Sequence, residues 1–166
     1  MMKRRSVKSF FLIFLLLSLV WAPAPLIAGD QTARVVWHVD FSDPRRFSAM
    51  LTSINNMAVL YESELMEHDI RIVALSHGIR FLTDDPLTGT PFVEDEVLAA
   101  ERDNLRGRLM TLMSMHDVKV ELCDITRTAV GLDAGIFYDG IEIVPSGVVR
   151  IADLQSNHGF AYLKAE

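Results

Sequence analysis

The sequence predicts an α/β domain whose mainly parallel sheet is covered on both faces, and three observations carry that expectation. Short β-branched runs alternate with longer segments whose apolar residues recur at helical spacing. The runs are apolar on both faces, as strands between two helical layers must be. Half of the 166 residues are hydrophobic, and about 140 residues remain once an N-terminal segment of different composition is set aside, enough for one domain with one sizeable core. Strands joined through helices connect by right-handed crossovers.

The N-terminal segment comes first. Lys3, Arg4, Arg5 and Lys8 precede an apolar stretch from Phe10 to Trp21, interrupted only by Ser18 and followed by a small-residue region ending Leu26-Ile27-Ala28. This is the pattern of a signal peptide over residues 1–28, cut after Ala28 on the general secretory route, with the chain from Gly29 to Glu166 left as a single periplasmic or secreted domain. The apolar stretch of roughly 12 residues falls short of the about 20 that span a bilayer, so no stable membrane anchor is expected. Removing residues 1–28 takes away four positive charges and no negative one, moving the net charge from −6 to −10. Such an acidic protein repels phosphate backbones and anionic lipid surfaces, which excludes nucleic acid as a partner.

Strand one is Arg34 to Asp40. Asp43 then offers an N-cap with Pro44 at the first helical position, and Phe47, Met50, Leu51, Ile54, Met57, Ala58, Tyr61 and Leu65 follow on one face of a long helix. Ile70 to Leu75 is strand two, leaving through the tight turn Ser76-His77-Gly78, and the polar stretch Asp84 to Pro91 is a loop. A second helix is expected over about 93–115, with Val97, Leu98, Leu105, Leu109, Leu112 and Met113 inward and Glu101, Arg102, Arg106 and Arg108 solvated. Val118 to Cys123 is strand three and Asp124 to Leu132 a short helix. Ile141 to Val144, Val148 to Asn157 and Phe160 to Lys164 give a fourth strand, a helix ended by Gly159, and a fifth strand. Asp139-Gly140 could instead turn a hairpin.

In an open parallel sheet, ligands bind beyond the carboxyl ends of the strands. That edge gathers Cys123, Ser76-His77-Gly78, Ser146-Gly147 and the end of strand one near His38 and Asp40. Cys123 is the single cysteine, so no internal disulfide can form. At a helix amino-terminus its thiolate would be favoured by free amides and the helix dipole. Thr126 can turn its hydroxyl toward the junction and Arg127 can add positive potential, while Asp124 acts the other way. Cys123 could equally be a small buried hydrophobe, since free cysteine is among the most buried residue types. His77 could lie near the thiol as a proton carrier. His38 reads as a core histidine, His116 as a partner of terminal carbonyls and His68 as a solvated helix-end residue. A metal site of Cys123, His77 and His38 is chemically allowed but follows no ligand motif, so neither metal nor cofactor is expected. Phosphate loops, Gly-x-Ser-x-Gly elbows and His-Glu-x-x-His motifs are absent from the sequence.

Three segments resemble the DsrE/DsrF-like family, which includes the TusD-type subunits of sulfur relays. They are Val35 to Asp40 with the following helix that carries Asn55-Asn56, then Ile72 to Gly78, then His116 to Thr126; the ending from Val144 to Tyr162 is similar as well. The resemblance implies a three-layer α/β/α domain with a five-stranded parallel sheet that self-associates as dimers or trimers. It also implies that Cys123 receives sulfur as a persulfide; on the reading of the residues themselves, His77 would assist proton transfer there, with Asn56 and Thr126 as polar supports. The partners it implies are sulfur donor and acceptor proteins or small sulfur compounds, and any turnover would be sulfurtransferase-like. The residues after Cys123 lack the alanine-rich, arginine-containing helix of TusD-type subunits, which argues against transfer-RNA thiolation. The competing reading is a non-enzymatic module that binds a small ligand or metal, or serves in assembly, with a structural Cys123.

Overall fold

The structure is a computed structural model that describes residues 32–166; the signal peptide expected over residues 1–28 lies outside the described residues. The chain runs β1 (Ala33–Val39), α1 (Pro44–Ser63), β2 (His68–Ala74), a 3₁₀ turn (Ser76–Phe81), α2 (Glu96–Met115), β3 (Lys119–Cys123), α3 (Asp124–Ala129), a second 3₁₀ turn (Ala134–Ile136), β4 (Glu142–Val144), α4 (Gly147–His158) and β5 (Ala161–Leu163). The five strands lie in the order β4-β3-β2-β1-β5, and every neighbouring pair is parallel. The expected α/β fold is present.

Side-chain alternation along the strands divides the core in two. Val35, Trp37 and Val39, with Ile70, Ile72, Val120 and Leu122, pack under α1 and α2 in the larger cluster. Val36 and Val73 point the other way and pack with Ile151, Leu154 and Phe160, mainly under α4. The register sets His38 beside Val73 and Val73 beside Glu121, so Glu121 and Cys123, two residues apart on β3, share the α4 face. There Glu121, fully buried, accepts from Arg71 Nη1 (2.9 Å) on β2 and from Arg150 Nε (2.7 Å) and Nη2 (2.9 Å) on α4. One carboxylate thereby ties α4 to the middle of the sheet.

The caps follow the sequence. Asp43 accepts from the Arg45 amide at 2.8 Å with Pro44 opening α1, and Gly159 closes α4 at φ 71°. Other expectations are corrected. Leu65 is not inward: α1 ends at Ser63, and Leu65 takes the left-handed position of a Schellman turn (φ 54°), 94% exposed, with the Met66 amide donating to the Tyr61 carbonyl. Val97 is exposed because α2 starts at Glu96 behind an Asp95 cap, later than expected. Arg102 and Arg108 are not solvated charges. Arg102 holds the carbonyls of Arg80 and Thr83 and the Glu94 carboxylate, and Arg108 binds Ser48 and Thr52 of α1. His68 and His116 both face Glu62, at 3.6 and 2.7 Å. The Asp139-Gly140 hairpin does not form; Gly140 turns left-handed and the chain enters β4 parallel to β3.

Candidate functional site

Cys123 ends β3 and is the N-cap residue of α3, 4% exposed. Its sulfur lies where the amino ends of two helices meet. Burial pushes the thiol pKa up, but the polar donors around it, the Gly147 amide at the start of α4 first and then the amide and hydroxyl of Thr126 and the Ile125 amide, bring it below the ordinary thiol value. Each donor favours the anion, and the dipoles of helices ending there act in the same direction.

Gly147 packs closely against Cys123 because it has no side chain. A Cβ there would stand 3.0 Å from Leu75 Cδ2 and 3.1 Å from Cys123 Cβ, so a larger residue would push the first amide of α4 away from the sulfur. Ser146 caps the same helix by accepting from the Val149 amide. On the other side, Thr126 Oγ1 accepts from the Ser76 amide at 3.0 Å, which joins the turn after β2 to α3. Ser76 adopts a left-handed backbone, φ 51°. The sequence places Ser76 and Gly147 at this edge but gives neither of them a role. The available signal was Ser146-Gly147 at a helix start, where a glycine lets a backbone amide approach closely.

The expected site residues separate into two groups. Thr126 lies in the first turn of α3 after Cys123 and is among the groups that lower its thiol pKa. His77 is engaged elsewhere: its Nδ1 lies 3.3 Å from Ser76 Oγ and its ring stands edge-on to Phe92 with centroids 5.4 Å apart. Asn56 sits on the exposed side of α1, about 18 Å along the helix axis from Pro44 at about 1.5 Å per residue, toward the opposite end of the sheet. Asp124 and Arg127 neutralise one another through a 2.8 Å bond from Arg127 Nε, and Arg127 also donates to the Leu132 carbonyl, so neither sets the field at the thiol.

His38 is engaged elsewhere, with Nδ1 2.9 Å from Tyr162 Oη and Nε2 3.8 Å from Asp40. Burial, the largest influence, lowers its pKa against the pull of Asp40. Asp40 itself is bound by Lys164 at 2.8 Å. Among the described residues no group of three His, Cys, Asp or Glu side chains is arranged to hold a metal ion, and no helix is long and apolar enough to cross a membrane.

Comparison with known proteins places these residues in context. The DsrE/DsrF-like family model matches residues 42–165, a span that holds Ser76, Cys123, Thr126 and Gly147. Among solved structures, the protein MTH1491 of Methanobacterium thermoautotrophicum, described as of unknown function, is similar at 26% identity with a TM-score of 0.60, over 80% of this chain and 98% of that one. The ychN protein of E. coli shares the fold at 20% identity and a TM-score of 0.51, over 80% of this chain and 99% of that one. None of the curated proteins matches.

Proposed function

Because the chain belongs to the DsrE/DsrF-like family, which is associated in general terms with sulfur relay, we propose that it is an exported sulfur-handling protein in which Cys123 accepts sulfane sulfur as a persulfide and passes it on. The observation that carries this reading is the place of Cys123 at the carboxyl end of β3, as the N-cap residue of α3 and packed against Gly147 at the start of α4. In the loading step the Cys123 thiolate attacks the outer sulfur of a persulfide donor; the new S–S bond forms on Cys123, the donor's S–S bond breaks, and the donor leaves as a thiolate while the transferred sulfur keeps its proton. An acceptor thiolate then attacks that outer sulfur and Cys123 departs as the thiolate. The same donors that hold the resting anion hold the leaving group.

The remaining parts of the proposal concern the setting. Export rests on Lys3 to Lys8, the apolar run to Trp21 and the Ala28 cleavage position, and it implies donors and acceptors outside the cytoplasm. Self-association as a dimer or trimer is supported by Ile125, Ile143, Val148 and Val149, exposed apolar side chains beside the cysteine end of the sheet. Size-exclusion chromatography with light scattering tests it, and a monomer would exclude it.

One observation favours the second reading, a binding module with a structural cysteine: Cys123 is 4% exposed. Alkylation of the folded protein separates the two. A carrier is alkylated at a rate that small additions of urea do not change, because a reagent reaches the thiolate in the native state. A structural thiol reacts only in step with global unfolding, and that result would replace the carrier reading.

A further inference from the structure

We propose that His38 is an acid-released latch: while its imidazole is neutral it holds the edge strand β5 on β1, and its protonation lets that strand go. β5 has only three residues, lies at the edge of the sheet and pairs with β1 alone, Ala161 with Val35, Tyr162 with Val36 and Leu163 with Trp37. Three side-chain contacts reinforce this short pairing. His38 Nδ1 lies 2.9 Å from Tyr162 Oη, Lys164 Nζ donates to Asp40 Oδ2 at 2.8 Å, and Arg46 Nε donates to the Ala165 carbonyl at 2.6 Å. Of the side chains in these contacts, only the imidazole is of a type that changes charge near neutral pH.

A neutral imidazole has one donor and one acceptor nitrogen, whereas the charged ring has two donors. The contact of Nδ1 with Tyr162 serves either form, because a phenol both donates and accepts. Nε2 is different: it is buried and has no hydrogen-bond partner. Asp40 Oδ2, 3.8 Å away, is beyond hydrogen-bond reach and is already held by Lys164. The elements packed on this face bring apolar side chains, Val73 of β2 beside His38 and Ile151 and Leu154 of α4 on the cluster of Val36 and Phe160. Arg150 and Asp153 of α4 turn to Glu121 and to each other. The charged groups that face His38 are thus Asp40, which favours its proton, and Lys164, which opposes it, with Arg46 of α1 adding positive charge near Lys164. Burial, the largest influence, acts with Lys164 against Asp40 and sets the His38 pKa below the ordinary 6.5. Tyr162 covers the ring, with centroids 5.9 Å apart, so release of β5 admits water to Nε2. The released strand therefore binds the proton better than the closed one, and the closed strand is favoured at neutral pH and lost progressively as pH falls below about 6.5.

The test is hydrogen exchange at the amides of Ala161 to Leu163 in the purified protein at pH 7 and pH 5, corrected for the intrinsic pH dependence of exchange. The open fraction of β5 is expected to rise about tenfold from pH 7 to pH 5, as one proton bound preferentially by the released strand requires, while β2 and β3 keep their protection. His38→Asn keeps a hydrogen-bonding partner for Tyr162 and takes up no proton, so the open fraction of its β5 is expected to be the same at both pH values. Tyr162→Phe removes the phenol and leaves the imidazole; it is expected to open β5 further at pH 7 and to retain the rise on acidification. An equal rise in His38→Asn, no rise in wild type, or a rise shared by β2 and β3, which marks global acid unfolding, would overturn the inference. Should His38→Asn not fold, the titration of His38 in wild type decides, followed by nuclear magnetic resonance of its ring C–H protons. A midpoint below 6.5 that the β5 amide shifts follow supports the latch, and a midpoint at or above 6.5, or β5 shifts that ignore it, overturns it.

Discussion

Replacing Glu121 with Gln tests the link between the packing of α4 and the chemistry of Cys123. The carboxylate is fully buried and receives three guanidinium bonds of 2.7 to 2.9 Å from Arg71 and Arg150, whose side chains are 16% and 26% exposed. Glutamine keeps one acceptor oxygen and turns an NH₂ group toward a cation. Charge-assisted bonds contribute about 1.5–3 kcal/mol each, and breaking a fully buried ion pair by removing one partner costs about 3–5 kcal/mol. The guanidinium groups retain some contact with water, so the expected loss is about 2–4 kcal/mol. With a urea dependence of about 1.5 kcal/mol per molar, the unfolding midpoint followed by far-ultraviolet circular dichroism falls by roughly 2 M. Arg150 lies one turn into α4, and the first residue of that helix, Gly147, packs against Cys123, whose thiol pKa its amide helps to lower. The variant should therefore also titrate Cys123 at higher pH than wild type. A midpoint within the scatter of wild type would refute the assignment of Glu121 as the tie of α4. A large stability loss with an unchanged thiol titration would refute the coupling of that tie to the site.

Other substitutions and conditions give further expectations. Gly78→Ala places a methyl group 2.1 Å from the Val39 carbonyl oxygen; backbone cannot move aside as a flexible side chain can, so thermal unfolding should report a loss of about 3 kcal/mol or more, and a loss below about 1 kcal/mol would contradict the packing of the turn. For Asp69, burial raises the carboxyl pKa, but Arg71 and then Lys119 bring it below the ordinary value of 3.8. A depressed carboxyl stabilises the fold above its unfolded pKa, and that contribution disappears as pH falls through the folded value. Asp69→Asn should thus be less stable than wild type by about 1 kcal/mol at pH 7, with the difference shrinking below pH 4 in urea titrations; a difference that grows on acidification would reverse the sign of the argument. Secretion of the full chain should yield a mature protein whose mass begins at Gly29, and retention of residues 1–28 would contradict export with cleavage after Ala28.

Much of the fold was legible because the local signals and the packing agree. Strands apolar on both faces required two helical layers, Asp43-Pro44 announced the start of α1, and Gly159 the end of α4. The errors arose where a tertiary contact overrides a local pattern. Arg102 and Arg108 read as solvated because helical spacing put them off the apolar stripe, yet loop carbonyls and the neighbouring helix take their guanidinium groups. Leu65 fitted the stripe but lies beyond the last turn of α1, where the chain must reverse. At the candidate site, strand-end position and spacing within α3 were enough to place Cys123 and Thr126 at one edge of the sheet. The Ser76 amide bonds Thr126 Oγ1 and Gly147 packs on Cys123 from segments distant in the chain, and a residue's side-chain chemistry gives no sign of such contacts. His77 and Asn56 had suitable chemistry, but one ring turns to Phe92 and the other residue lies down the outer face of α1.

The measurement that tests the central claim most directly is the intact mass of the purified protein, wild type and Cys123→Ser, before and after exposure to inorganic polysulfide and again after reductant. The account predicts added sulfur on wild type alone, removed by the reductant. Wild type that stays unmodified under conditions that alkylate its thiol, or sulfur that adds equally to Cys123→Ser, would contradict it.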